Sequence, residues 1–325
     1  MGITLLHTLV RIAGGEIGDA YQLYLFISCA TILVGLALFT KGVSTERSQA
    51  VCTLSIGVLF SVGGLRAIEL GQSSLLALGG LFALAALALS SRPQSLWSGI
   101  GAATLLCLLS SKPLYVVLGA LMLIGVRRWR DLSVGALALL ILLGLLALRF
   151  GCAPFVSYLQ ALGHYMHPLP AYYSYGRSFS EIPTLAGYLS HFYPEGVAIG
   201  VSRATFIAVV LAALGAACWR GQGSRLVVPV ALALCAGLIF SPYVGEYESI
   251  LLALPLALRW RTAARISAVE VTLFSILVLL MCFPHPQAFE LSVRAVIIGA
   301  VMLLEVTTAL PANYAQPQHQ LSTEP

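Results

Sequence analysis

Lys112-Pro113 stands between two apolar runs, in a chain where polar side chains are placed singly among hydrophobic ones. A lysine near a membrane core costs about 2.5–3.5 kcal/mol on insertion scales, so its presence needs a reason. One reading is a lysine at a helix end that snorkels to the interface. The other is a cation for a phosphate: Pro113 ends one helix and starts the next, leaving orphan N–H groups beside the ammonium, and a helix start plus a lysine is a ready anion site. Gly71-Gln72 opens the apolar run from Ser73, close to Arg66 and Glu69. The Gln72 amide can hydrogen-bond a ligand hydroxyl or cap that helix.

A second polar cluster reads Ser241-Pro242-Tyr243-Val244-Gly245-Glu246-Tyr247-Glu248. Pro242 and Gly245 break the helix, and irregular backbone is tolerated at membrane depth only beside protein or a wet cavity. Tyr243, Glu246, Tyr247 and Glu248 therefore line either a polar pocket or an ordinary external loop with interfacial tyrosines. The stretch 151–195 carries seven of the thirteen tyrosines, with His164, His167 and His191. Its length exceeds a normal connection. Its aromatic rings suit lipid headgroups, or stacking on sugars. His164-x-x-His167 has metal-ligand spacing but no evident third ligand, so no metal site is assigned. Glu270 and Glu305 lie inside apolar runs; Glu270 is close enough to Arg265 to pair with it structurally, and Glu305 can pair with a neighbouring helix.

The elements that must position these groups follow from composition. Of 325 residues, 59% are hydrophobic and 10% charged, against about 25% charged in soluble domains; mean hydropathy is +0.92. Apolar runs without period-2 alternation predict an all-α polytopic membrane bundle and exclude a soluble enzyme. The segments fall at 21–40, 50–64, 73–91, 95–110, 113–126, 132–150, 197–218, 226–241, 249–259, 266–283 and 294–310, about eleven spans, several shorter than the ~20 residues a crossing needs. Residues 1–310 form one membrane domain with an external loop 151–195, and 311–325 a polar, disordered tail.

Residues 95–126 as one helix would run about 48 Å against a core of about 30 Å. Split at Lys112-Pro113, the chain places Lys41, Arg47, Arg92, Arg127, Arg128, Arg130, Arg220, Arg225, Arg259, Arg261 and Arg265 on one side, which the positive-inside rule makes cytoplasmic. Glu16, Asp19, Glu69, Gln72, Lys112, 151–195 and 243–248 then face outward. The basic residues form no nucleic-acid face, and the seven cysteines form neither a disulfide framework nor a zinc site.

Taken in order, Gly71-Gln72 opening a helix, Arg92-Pro93, a glycine-bearing helix, Lys112-Pro113, Arg128-Trp129-Arg130, Phe150-Gly151 and Ser241-Pro242-Tyr243…Glu246-Tyr247-Glu248 resemble glycosyltransferase family 87, integral-membrane enzymes of the GT-C class. The resemblance covers about residues 3–260. It implies transfer of a mannose-like hexose from a polyprenyl-phosphate donor to a glycan or glycolipid acceptor at the outer face of the cytoplasmic membrane. Membrane lipids are then partners, and nucleic acid is not. Lys112, with Arg66 and Arg177 as helpers, would hold the donor phosphate; Gln72, Tyr243, Glu246, Tyr247 and Glu248 would position sugar or acceptor. No cofactor is identified, and there is room for a divalent metal.

The chain departs from the family at Ser73, where Gly-Gln-Asn is usual, and in carrying Glu246 and Glu248 for Asp. A histidine that some relatives carry near the position of Tyr247 is absent. Ile3–Tyr24 resembles the stretch that follows the family's catalytic-Asp loop, so the chain is expected to begin after that segment. That leaves Asp19 and Glu16 as weak candidates for the base, or a complementing chain to supply it. Two other readings stay open: a non-catalytic binder of lipid-linked sugars, and a transporter or flippase, for which only Glu270 and Glu305 are candidate intramembrane charges.

Overall fold

Leu and Ala dominate the stretch from Ser73 to Ala88, apolar on every side, which is the pattern of a helix buried all round. The computed structural model describes residues 17–70, 72–91, 93–153, 156–157, 160, 184–220, 226–241, 246–263, 266–283 and 287–314. They form helices α1 (Ile17–Thr40), α2 (Thr45–Leu59), α3 (Val62–Glu69), α4 (Ser73–Ala88), α5 (Leu96–Leu109), α6 (Pro113–Gly125), α7 (Trp129–Phe150), α8 (Leu185–Leu189), α9 (Glu195–Arg220), α10 (Val227–Cys235), α11 (Ala253–Thr262), α12 (Ala268–Met281) and α13 (Gln287–Tyr314). A π-helical turn, Ala236–Phe240, extends α10, and a 3₁₀ helix, Glu246–Leu252, leads into α11. No strand occurs among the described residues.

α4 is the centre. Twelve of its sixteen residues are buried, and α1, α5 and α6 pack against it. The α1–α4 crossing depends on glycine: a Cβ on Gly35 would lie 2.3 Å from the Gly79 carbonyl oxygen, and one on Gly79 2.5 Å from the Thr31 carbonyl carbon. Those contacts are with backbone, which cannot swing aside. Gly79→Ala is expected to force the helices apart and cost about 1–3 kcal/mol, the usual range for overpacking. An unchanged thermal midpoint in detergent micelles would count against this crossing.

Each of the eleven expected segments falls on a helix, but they are not eleven spans. Among the described residues three helices are long and apolar enough to cross a membrane: Gly18–Thr40, Trp129–Phe150 and Glu195–Trp219. The count becomes four if Thr45–Leu59 and Val62–Glu69, bent by 65°, act as one. Five other apolar helices have 10–17 residues, about 15–26 Å at 1.5 Å per residue, short of a core of about 30 Å. The sequence count took apolarity for lipid contact, whereas α4 and α10 are apolar because they face other helices. The long helices carry strongly exposed apolar side chains, such as Phe26 at 72%, Leu148 at 86% and Leu211 at 62%, as crossing helices that face lipid chains would.

The expected break at Lys112-Pro113 is present: α5 ends at Leu109 and α6 starts at Pro113. At the other end of α6, Arg127 adopts φ 58°. The Arg128 amide reaches the Leu123 carbonyl and the Arg127 amide that of Ile124, at 2.9 Å each, a Schellman turn that reverses the chain into α7. Arg128, expected among the cytoplasmic basic residues, is not a solvated charge. It is buried, ion-paired with the fully buried Asp131 at 2.9 Å and donating to the Ser90 carbonyl at 2.7 Å, while Ser98 donates to the other Asp131 oxygen at 2.8 Å. This pins the start of α5 to the start of α7.

Candidate functional site

Lys112 is the N-cap of α6, in extended backbone, with Pro113 at the first helical position. Proline has no N–H to lose there, and its fixed φ starts the helix. The ammonium is ion-paired with Glu248 Oε1 and lies 5.7 Å from the centre of the Tyr115 ring. Tyr115, three residues on, is fully buried, and its hydroxyl lies 2.9 and 2.8 Å from the two Glu248 oxygens, donating its one proton between them. The Lys112 side chain is 31% exposed and that of Glu248 3%. The carboxylate is thus enclosed, while the lysine side chain is partly exposed.

Glu248 lies on the 3₁₀ helix, which packs against α3 and α4. The next residue begins a second network. Ser249 donates to Glu290 Oε1 at 3.0 Å, the same oxygen that is ion-paired with Arg294. Arg294, with no exposed surface, also donates to the Leu238 carbonyl at 3.3 Å. Leu238 is in the π-helical turn, where the i−4 ladder is broken and carbonyls seek other partners; Ser202 takes the Phe240 carbonyl at 2.6 Å. Lys112, Glu248, Glu290 and Arg294 sum to zero charge, so this buried chemistry is internally neutralised.

The other expected site residues are placed as follows. Gln72 is the N-cap of α4 as expected, without a side-chain capping bond; its amide N–H reaches the Ala67 carbonyl at 2.9 Å and its own carbonyl accepts from the Tyr24 hydroxyl. Tyr21 likewise donates to the Ile68 carbonyl, which fixes the start of α1 against α3. Arg66 is ion-paired with Glu69 at 2.7 Å on the surface. Asp19 is exposed in the first turn of α1, at the Gln72 end of the bundle. Glu246 and Tyr247 begin the 3₁₀ helix, their side chains outside the described ones. Glu16, Gly71, Tyr243, Arg177, His164 and His167 lie outside the described residues. The structure brings together Lys112 and Glu248, with Gln72 on the helix that packs beside them; no described contact joins Asp19 to that pair.

Sequence reasoning missed Tyr115, Ser249 and the Glu290–Arg294 pair as parts of this network. Two signals were present: Tyr115 falls three residues after the cap, hence on the same side of the helix, and Glu290 and Arg294 are four apart.

The opposite end of the bundle holds a buried triad. Arg259 faces Glu270 at 3.2 Å and Glu305 at 3.0 Å, and all three are buried. The expected partner of Glu270, Arg265, lies outside the described residues; Arg259 is its partner here. Nearby Arg261 stacks on the Phe39 ring, 4.8 Å from its centre.

The sequence model of glycosyltransferase family 87 matches residues 4–242. No curated protein and no solved structure matches the chain.

Proposed function

The chain belongs to glycosyltransferase family 87, and we propose that it moves a mannose-like hexose from a polyprenyl-phosphate donor to a glycan or glycolipid hydroxyl at the outer face of the cytoplasmic membrane. Membership makes it a membrane glycosyltransferase; the donor, the acceptor and the face are our reading. The observation that supports it best is Lys112, a lysine with a partly exposed side chain at a helix start. Positive charge and N–H groups aimed at the leaving phosphate are what such a transfer needs. Arg66 and Arg177 are proposed as helpers. Gln72, Tyr243, Glu246, Tyr247 and Glu248 are proposed to shape the sugar and acceptor pocket.

The acceptor hydroxyl attacks the anomeric carbon as its bond to the phosphate oxygen breaks. The proton goes to a carboxylate base, and the lipid phosphate leaves as an anion beside Lys112. Asp19 and Glu16 are the candidates for the base, or a complementing chain provides it.

Purified protein given radiolabelled polyprenyl-phosphate hexoses and a membrane glycolipid extract should move label to the acceptor and release polyprenyl phosphate. Donor binding without any release would favour the non-catalytic binder instead. Lys112→Ala should raise the donor KM at least about tenfold, the scale of one charge-assisted hydrogen bond; an unchanged KM with normal membrane levels would leave Lys112 as a structural partner of Glu248.

A further inference from the structure

Arg203 is half-buried and, like Arg261, has guanidinium nitrogens that are buried without a hydrogen bond among the described residues. It is the eighth residue after Glu195 in a crossing helix of 25 residues, so it sits about 12 Å along a helix about 37 Å long. With a hydrocarbon core of about 30 Å, that places its backbone roughly 8 Å inside the apolar slab. Arg128, Arg259 and Arg294 each have a carboxylate in contact. For Arg203 the Nε and Nη2 atoms are buried and make no hydrogen bond among the described residues. A guanidinium that had snorkelled to the interface would end in water, with those nitrogens exposed. A cation with two of its three nitrogens enclosed at this depth is costly unless an anion meets it.

Its position says which anion. Neighbouring Ser202 holds the Phe240 carbonyl. One turn inward from Phe240, Gly237 abuts Leu114, at the start of α6. Arg203 is therefore level with the Lys112–Pro113 helix start. Around the same helix, Val201, Ile207 and Leu211 are 45%, 57% and 62% exposed, whereas Ala198, Ile199 and Ser202 are buried. Arg203 is thus at the seam between the face that packs and the face that meets lipid chains. A soluble anion would have to cross the interface to reach it, but an amphiphile arrives sideways, its chain on the apolar face and its charge at the seam.

We propose that Arg203 binds the phosphate group of a membrane lipid lying along the exposed face of α9. The part of this concerning a polyprenyl-phosphate donor rests on the function proposed above; the lipid-phosphate site itself does not. Arg203 would hold the incoming phosphate laterally, level with Lys112.

The test uses the full chain, delipidated in maltoside micelles, with binding read by native mass spectrometry and thermal midpoint. Polyprenyl phosphate should bind at least about tenfold tighter than the matching polyprenol, the margin a charge-assisted hydrogen bond gives. Arg203→Gln should erase that margin, and Arg203→Lys should keep part of it. Without ligand, Arg203→Gln should melt no lower than the parent, because it removes a shielded charge. An equal margin for phosphatidylglycerol would support the lipid-phosphate site as a general one; a margin confined to polyprenyl phosphate would support it as a donor site. Three outcomes overturn the proposal: an undiminished margin in Arg203→Gln, displacement by millimolar inorganic phosphate, or a lower ligand-free melting point, which would mean that a group of the chain itself already neutralises Arg203. Binding is scored without turnover, so absence of sugar transfer would sink the proposed activity and leave this site standing.

Discussion

Arg259→Met is expected to destabilise the protein by about 3–5 kcal/mol, the usual cost of stripping the partner from buried charge. Glu270 and Glu305 both point at this one guanidinium, and neither is more than 7% exposed. Without it, two enclosed carboxylates lose the cation they share, and the three helices that carry the triad, α11, α12 and α13, lose their common anchor. The triple variant Arg259→Met, Glu270→Gln, Glu305→Gln should recover most of that loss, since replacing a whole buried ionic group is often neutral. Unfolding midpoints in micelles, compared across single, double and triple variants, give the coupling. A triple variant as unstable as the single one would mean that shape, not charge, holds this end together. The triad lies at the far end of the bundle from Lys112, so variants that still fold should keep the parent's donor KM.

The residues that break helices were the legible ones. Lys112-Pro113 declared a helix start because proline at the first helical position fits only there, and Gln72 declared the start of α4 through its place between Gly71 and the apolar run. What failed was the step from apolar segment to membrane span. Ser73–Ala88 and Trp129–Phe150 have similar composition, yet twelve residues of the first are buried, while of the second Asp131 and Gly135 are the ones that are. Nothing local separates a helix wrapped by protein from one wrapped by lipid.

Partner choice failed for a related reason. Glu270 was matched with Arg265, which lies outside the described residues, while Arg259, eleven positions away across a turn, is the partner the described residues show. Glu248 and Lys112 are separated by 136 positions. Each was recognisable as a polar group needing a reason, but their meeting is a property of packing. Arg203 fell inside a segment read as an ordinary span, where its sequence gives no hint that its nitrogens are shielded.

The Lys112–Glu248 pair yields a test whose sign depends on which partner is enclosed. Glu248 is buried and Lys112 partly open. Removing the lysine strands a carboxylate that keeps Tyr115 as a donor but loses its cation; Lys112→Ala should cost about 2–4 kcal/mol. Glu248→Gln is milder, about 1 kcal/mol, because glutamine still accepts from Tyr115 and the lysine it releases has a partly exposed side chain. The double variant should then be more stable than Lys112→Ala alone, since the second change removes the stranded charge. Activity should move in the other direction. If Lys112 serves the donor phosphate, Glu248→Gln leaves that cation without its carboxylate and lowers the donor KM, whereas Lys112→Ala raises it. A pair that only holds α6 to the 3₁₀ helix would lose stability in both single variants and leave the donor KM untouched in each. Unfolding midpoints and donor KM, measured on the same preparations, therefore separate a structural tie from a phosphate-binding cation whose charge is masked until the donor arrives.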